Sequence, residues 1–153
     1  MSLVYSRWAE GSRSIDPVLA RRAWLKASQA ATLLVIDDDA IVGEMYRLAL
    51  TRSGYNVLVA KDGQTGLDMA AASEPALIFL DIRMPNMDGI AVLERISADD
   101  GLRRIPVVML SNYDDSTYVK RCIGLGAKEY LVKVNIRPAD LATIASRWIN
   151  PTA

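Results

Sequence analysis

Five short apolar runs recur between residues 32 and 133, with an amphipathic segment in every gap between them. They are Leu33–Ile36, Asn56–Ala60, Leu77–Leu80, Pro106–Leu110 and Glu129–Val132, all of strand length. Most are continuously apolar, with no alternation of apolar and polar residues. That is the pattern of a strand covered on both faces, and such strands belong to parallel sheets. The segments between them carry helical stripes: Ile41, Met45, Leu48 and Ala49, closing at Gly54; Leu67, Ala70 and Ala71, broken before Pro75; and Val92, Leu93 and Ile96, ending in the polar run 97–101. A fourth helix is predicted over about 115–123, with Val119, Cys122 and Ile123 inward and Gly124 as its stop. Pro138 opens the last, in which Leu141, Ile144, Ala145 and Trp148 share a face and Asn150-Pro151 ends the run. Right-handed crossovers place such helices on both faces of the sheet, so the expected fold is a doubly wound α/β domain.

The chain has 153 residues, enough for one domain with some excess. Lys plus Arg and Asp plus Glu are both 18, so no global field invites nucleic acid or an anionic membrane. The apolar runs are too short to span a bilayer and the N-terminus lacks the apolar core of a secretory signal, so the expectation is a cytoplasmic protein. Cys122 is the single cysteine and reads as a small buried residue. Histidine is absent. That excludes Ser-His-Asp and Cys-His catalysis, His-ligated zinc, and any phosphohistidine formed within the chain itself.

Residues 1–31 read as an extension. A polar lead containing Trp8 precedes Asp16-Pro17, which starts a predicted helix over 16–30. Arg21, Arg22 and Lys26 make that helix basic, and Ala20, Trp24 and Ala27 share one face. A helix this short is marginal alone and needs a partner surface: the domain, a second copy of the chain in a homodimer, or an upstream segment. Residues 150–153 are a short tail.

The strand ends carry the chemistry. The first is followed by Asp37 and Asp38, the third by Asp81, the fourth by Ser111 and the fifth by Lys133. All lie at carboxyl ends, on the rim where open α/β sheets bind ligands. Three clustered carboxylates repel one another unless a cation intervenes. An all-oxygen donor set suits Mg²⁺, which commonly shares its shell with phosphate oxygens. A lysine and a hydroxyl beside it can hold the remaining oxygens of a phosphoryl group.

With the acidic pair after the first strand, Asp81 within Leu-Asp-Ile-Arg-Met-Pro-Asn-Met-Asp-Gly, Ser111 and Lys133, the sequence from about Thr32 to Ile149 resembles the response-regulator receiver domain of two-component signalling. The resemblance implies a flavodoxin-like sheet of strand order 2-1-3-4-5. It implies that Asp81 takes a phosphoryl group from a phosphohistidine on a sensor histidine kinase or phosphotransfer protein. Asp38, Asp81 and the main-chain carbonyl of Arg83 would hold Mg²⁺ directly, with Asp37 acting through water. Lys133 would pair with the phosphoryl group, and Ser111 would move toward it. Tyr130 matches the family's switch aromatic and reads equally as an ordinary half-buried strand tyrosine. The output implied is a changed surface for a downstream protein, with no direct nucleic-acid contact and no enzymatic activity beyond self-phosphorylation and slow autodephosphorylation.

Two residues depart from the family pattern. Val134 follows Lys133 where a proline is usual, which predicts a trans bond, a reshaped loop and a displaced Lys133. Asn112 stands where a smaller residue is usual, narrowing the path of Ser111. Arg83 and Tyr113 lie where family members tune hydrolysis, and their bulk predicts slow dephosphorylation. The main alternative is a degenerate receiver that works as a phosphorylation-independent binding module. An aspartyl-nucleophile phosphatase would need a second acid at the place of Arg83. A nucleotide-binding domain would need a glycine-rich turn after a strand, whereas Gly124-Leu125-Gly126 follows a helix.

Overall fold

The computed structural model describes residues 16–149 and divides the chain into two units, Met1–Ala30 and Ala31–Ala153. The lead with Trp8 and the tail from Asn150 lie outside the described residues. In the first unit, α1 covers Pro17–Gln29. Asp16 starts it, accepting the Val18 N–H at 2.9 Å. Ala20 is buried and Trp24 half-buried, as their shared face predicts, while Val18, Leu19 and Leu25 are exposed. The side chains of Lys26 and Ala27 lie outside the description.

The second unit alternates strictly: β1 (Thr32–Ile36), α2 (Ala40–Arg52), β2 (Asn56–Ala60), α3 (Gly63–Ser73), β3 (Leu77–Asp81), α4 (Gly89–Ala98), β4 (Val107–Ser111), α5 (Ser116–Gly124), β5 (Glu129–Val132), a 3-10 turn (Lys133–Asn135) and α6 (Asp140–Ile149). All strand pairs are parallel, in the order β2-β1-β3-β4-β5. This is the doubly wound, flavodoxin-like sheet that the receiver resemblance implies, with the strand order reversing between β1 and β3.

Successive residues of each strand feed opposite faces. Leu34, Ile36, Ile78, Leu80, Val107 and Met109 pack with α3, α4 and α5 through Leu67, Ala70, Val92, Leu93, Ile96 and Cys122. Leu33, Val35, Leu77, Phe79, Val108 and Leu110 pack with α2 and α6 through Tyr46, Leu50, Leu141, Ile144 and Ala145. Every residue of β3 and β4 is buried. The helix starts are capped by aspartates, at Asp39, Asp62, Asp88 and Asp115.

The helix faces required correction. On α2 the buried residues are Gly43, Tyr46 and Leu50, while Ile41, Met45 and Leu48 are exposed by 79%, 44% and 46%. The outward stripe is the more hydrophobic by composition. The inward one is fixed by close packing instead, since a Cβ on Gly43 would stand 3.1 Å from Val59. Ile123 on α5 and Ala71 on α3 are also exposed rather than inward. The left-handed residue that turns the chain after α5 is Gly126 (φ 105°), not Gly124. No helix among the described residues is long and apolar enough to cross a membrane.

Candidate functional site

The rim is assembled by register. Ile36 lies opposite Leu80, so Asp37 and Asp81 emerge side by side, and the Asp37 N–H extends the ladder by donating to the Ala60 carbonyl at 3.0 Å. Asp81 lies opposite Leu110 and Ser111 opposite Val132, which brings Ser111 and Lys133 to the same edge. Asp37, Asp38, Asp39, Val42, Asp81, Arg83, Ser111, Asn112, Tyr113 and Lys133 line one cleft of about 230 Å³.

Asp37 and Asp81 are only 1% and 6% exposed, whereas Asp38 faces solvent. Carboxylate oxygens of all three lie within 4.8 Å of one another. Lys133 bridges the two buried ones, with Nζ 2.8 Å from Asp37 Oδ2 and 3.2 Å from Asp81 Oδ1. The second oxygen of Asp37 accepts the Asp39 N–H at 2.9 Å. Burial, then repulsion from Asp37, pushes the Asp81 carboxyl up to about 6, an effect that Lys133 only partly offsets. Lys133 itself is raised: burial opposes its charge, but hydrogen bonds and attraction from Asp37 and Asp81 outweigh it. The displacement anticipated from Val134 does not occur. The peptide bonds are trans and Val134 is 82% exposed in the 3-10 turn, yet Lys133 stays between the carboxylates.

The loops on either side hold the Asp81 strand end in place. After Asp81, buried Ile82 and Met84 anchor a turn that passes through Asn86 at φ 68°. Gly89 closes that turn, donating to the Ile82 carbonyl at 2.7 Å, and a Cβ there would stand 2.0 Å from the Asp81 carbonyl oxygen. Only glycine fits at that position. After β4, the Tyr113 N–H donates to Ser111 Oγ at 3.1 Å, and the Tyr113 carbonyl accepts the Tyr130 hydroxyl at 2.7 Å. The Arg83 guanidinium sits 4.3 Å above the centre of the Tyr113 ring.

The family model for the response regulator receiver domain matches residues 33–146. The chain belongs to the response-regulator receiver family. The rice (Oryza sativa subsp. japonica) two-component response regulator ORR7 is 34% identical over 119 residues, covering 76% of this chain and 56% of that protein. The DNA-binding response regulator MtrA of Mycobacterium leprae is 36% identical over 109 residues, covering 71% and 47%. The chain thus spans about half the length of these relatives. Among solved structures, a putative response regulator from Chloroflexus aurantiacus J-10-fl superposes with TM-score 0.73 at 28% identity, covering 79% of this chain and 98% of that one. The chemotaxis protein CheY4 of Vibrio cholerae superposes equally well, at 26% identity, covering 78% and 98%.

Six of the residues singled out in the receiver sequence, Asp37, Asp38, Asp81, Arg83, Ser111 and Lys133, line the one cleft. Tyr130 does not. It is half-buried in β5, bonded to the Tyr113 carbonyl, with its phenol raised chiefly by burial. Asn112 lines the cleft and is exposed. Sequence reasoning missed the pairing of Lys133 with Asp37. It missed Asp39 as the α2 cap, although an acid immediately before an apolar helix is a recognisable cap signal. It also missed Tyr113 as the residue joining Ser111 to Tyr130, for which loop sequence carries no signal.

Proposed function

We propose that this receiver domain, residues 32–149, is a phosphorylation-dependent signalling switch whose phosphoacceptor is Asp81, with residues 1–31 as an extension and 150–153 as a tail. The observation that carries the reading is the convergence of two buried carboxylates and an exposed one on a lysine that bridges the buried pair. A carboxylate oxygen of Asp81 attacks the phosphorus of a phosphohistidine on a partner histidine kinase or phosphotransfer protein. A P–O bond forms and the P–N bond breaks, its electron pair returning to the imidazole nitrogen, which is reprotonated from solvent.

The donor set fits Mg²⁺: three carboxylates within 4.8 Å and, among the described residues, no imidazole or thiolate in the cluster. Asp38, Asp81 and the Arg83 main-chain carbonyl would hold the ion directly in this reading, with Asp37 acting through water. When bound, the ion supplies neutralisation of the negative charge that gathers between nucleophile and phosphoryl oxygens. Lys133 holds a phosphoryl oxygen. Ser111 exchanges the Tyr113 N–H for another, and Tyr130 follows it. The resulting surface of α5, β5 and α6 engages a downstream protein. Slow hydrolysis returns the switch to rest. The domain signals and does not turn over a free substrate.

The test is incubation with Mg²⁺ and acetyl phosphate, followed by a phosphate-retarding gel beside Asp81→Asn. A Mg²⁺-dependent retarded band in the wild type alone supports the reading. Identical migration of the two proteins would leave only a binding module.

A further inference from the structure

Arg83 is a cation in the wall of an acid cleft, yet its recorded partner is a ring. Its guanidinium lies 4.3 Å over the Tyr113 ring centre, and no carboxylate among the described residues pairs with it. Lys133, in contrast, is committed to two carboxylates. Arg83 and Tyr113 line the same cleft as Asp81 and Ser111. Both ring and guanidinium are solvent-exposed, and an exposed cation–ring contact is weak. A guanidinium pairing with a phosphoryl group is charge-assisted and commonly bidentate, so it is the stronger of the two.

Resting on Asp81 as the phosphoacceptor, we infer that Arg83 is a phosphoryl clamp parked on Tyr113: it leaves the ring for the phosphoryl oxygens when Asp81 is phosphorylated. The exchange does two things at once. It supplies a second cation to the phosphoryl group beside Lys133. It also unloads Tyr113, whose N–H holds Ser111 Oγ and whose carbonyl holds the Tyr130 hydroxyl. The loop that restrains both residues is thereby loosened by the event they respond to. Arg83 touches the phosphoryl group directly, and Tyr113 acts as a positioning residue through its peptide.

The probe is beryllofluoride, a phosphoryl mimic that adds to an aspartate, titrated with Mg²⁺ into the full chain and followed by arginine side-chain NMR. The Arg83 Nε–H signal, assigned by its loss in Arg83→Lys, starts in the shielding cone of the ring and moves downfield at saturation. Arg83→Ala weakens beryllofluoride binding about tenfold, the size of one lost charge-assisted hydrogen bond. Arg83→Lys keeps part of that affinity, and Tyr113→Leu, which removes the competing ring, strengthens binding. A stationary Arg83 signal in a protein that binds, with Arg83→Ala within about twofold of wild type, overturns the clamp and leaves the phosphoacceptor intact. If wild type and Asp81→Asn are alike in failing to bind, the phosphoacceptor reading falls and takes the clamp with it.

Discussion

Replacing Asp81 with asparagine should stabilise the fold at neutral pH while removing the proposed phosphoacceptor. The Asp81 carboxyl is held at about 6, against an ordinary aspartate value near 3.9. At 1.36 kcal/mol per pK unit, keeping it ionised in the folded chain costs about 3 kcal/mol, with the attraction of Lys133 already included. The sign follows from proton uptake. Between about pH 4 and 6 the folded chain binds a proton that the unfolded chain has released, so the carboxyl favours folding at low pH and loses that contribution as pH rises through about 6. Asparagine has nearly the same shape and no charge. Urea unfolding of both proteins, in chelator and from pH 4 to 8, should give a stability gap that is small near pH 4. The gap should open in favour of Asp81→Asn between pH 4 and 6 and level off near about 3 kcal/mol above that. Comparing the two curves cancels most of the other titrating groups. A gap that does not vary with pH, or an asparagine variant less stable at pH 8, would refute the account of Asp81 as a carboxylate whose burial and repulsion from Asp37 outweigh the attraction of Lys133.

Three further outcomes test the same geometry. Gly89→Ala should cost about 3 kcal/mol or prevent folding, because a methyl 2.0 Å from the Asp81 carbonyl oxygen forces the loop off the strand end; urea unfolding with circular dichroism checks this. Leu50→Ala on the buried side of α2 should cost about 2–5 kcal/mol, whereas Ile41→Ala on the same helix should change stability by less than about 0.5 kcal/mol, reversing the ranking that hydrophobic type alone suggests. Saturating Mg²⁺ should raise the melting temperature of the wild type in a concentration-dependent way and fail to do so in Asp38→Ala, read by scanning calorimetry.

The strands were legible because burial on both faces leaves a signature that loops and helices do not share, whereas their order came only with the receiver resemblance. The rim was legible for a related reason. A polar residue that ends a buried run has only one edge to go to in a parallel sheet, so Asp37, Asp81, Ser111 and Lys133 had to meet. Helix faces were harder. On α2 the small residue Gly43 and the amphipathic Tyr46 face the sheet, and their packing against Val59 and its neighbours outweighs the greater hydrophobicity of Ile41, Met45 and Leu48. The consequence of Val134 was misjudged since a loop's path is set by both of its anchors. Two carboxylates hold Lys133 firmly enough for the neighbouring turn to adapt instead. The link that Tyr113 makes between Ser111 and Tyr130 was invisible because it runs through the peptide group, which every residue has.

Charge balance ties the cleft's parts together. Three carboxylates and one lysine leave two negative charges beside a buried strand end, where burial first and then repulsion from Asp37 raise the Asp81 carboxyl. One divalent cation cancels it, which is why the donor set suits Mg²⁺ better than a monovalent ion. The proposed phosphorylation of Asp81 would turn a singly charged carboxylate into an acyl phosphate of about two negative charges. The cleft is again short of one positive charge, and the cation in its wall that has no anion of its own is Arg83. A guanidinium resting on an exposed ring can supply that charge without breaking an existing ion pair, whereas Lys133 must share itself further. The same count says that Arg83→Glu should be far more damaging to phosphorylation than Arg83→Ala, since it deepens the deficit instead of merely failing to fill it.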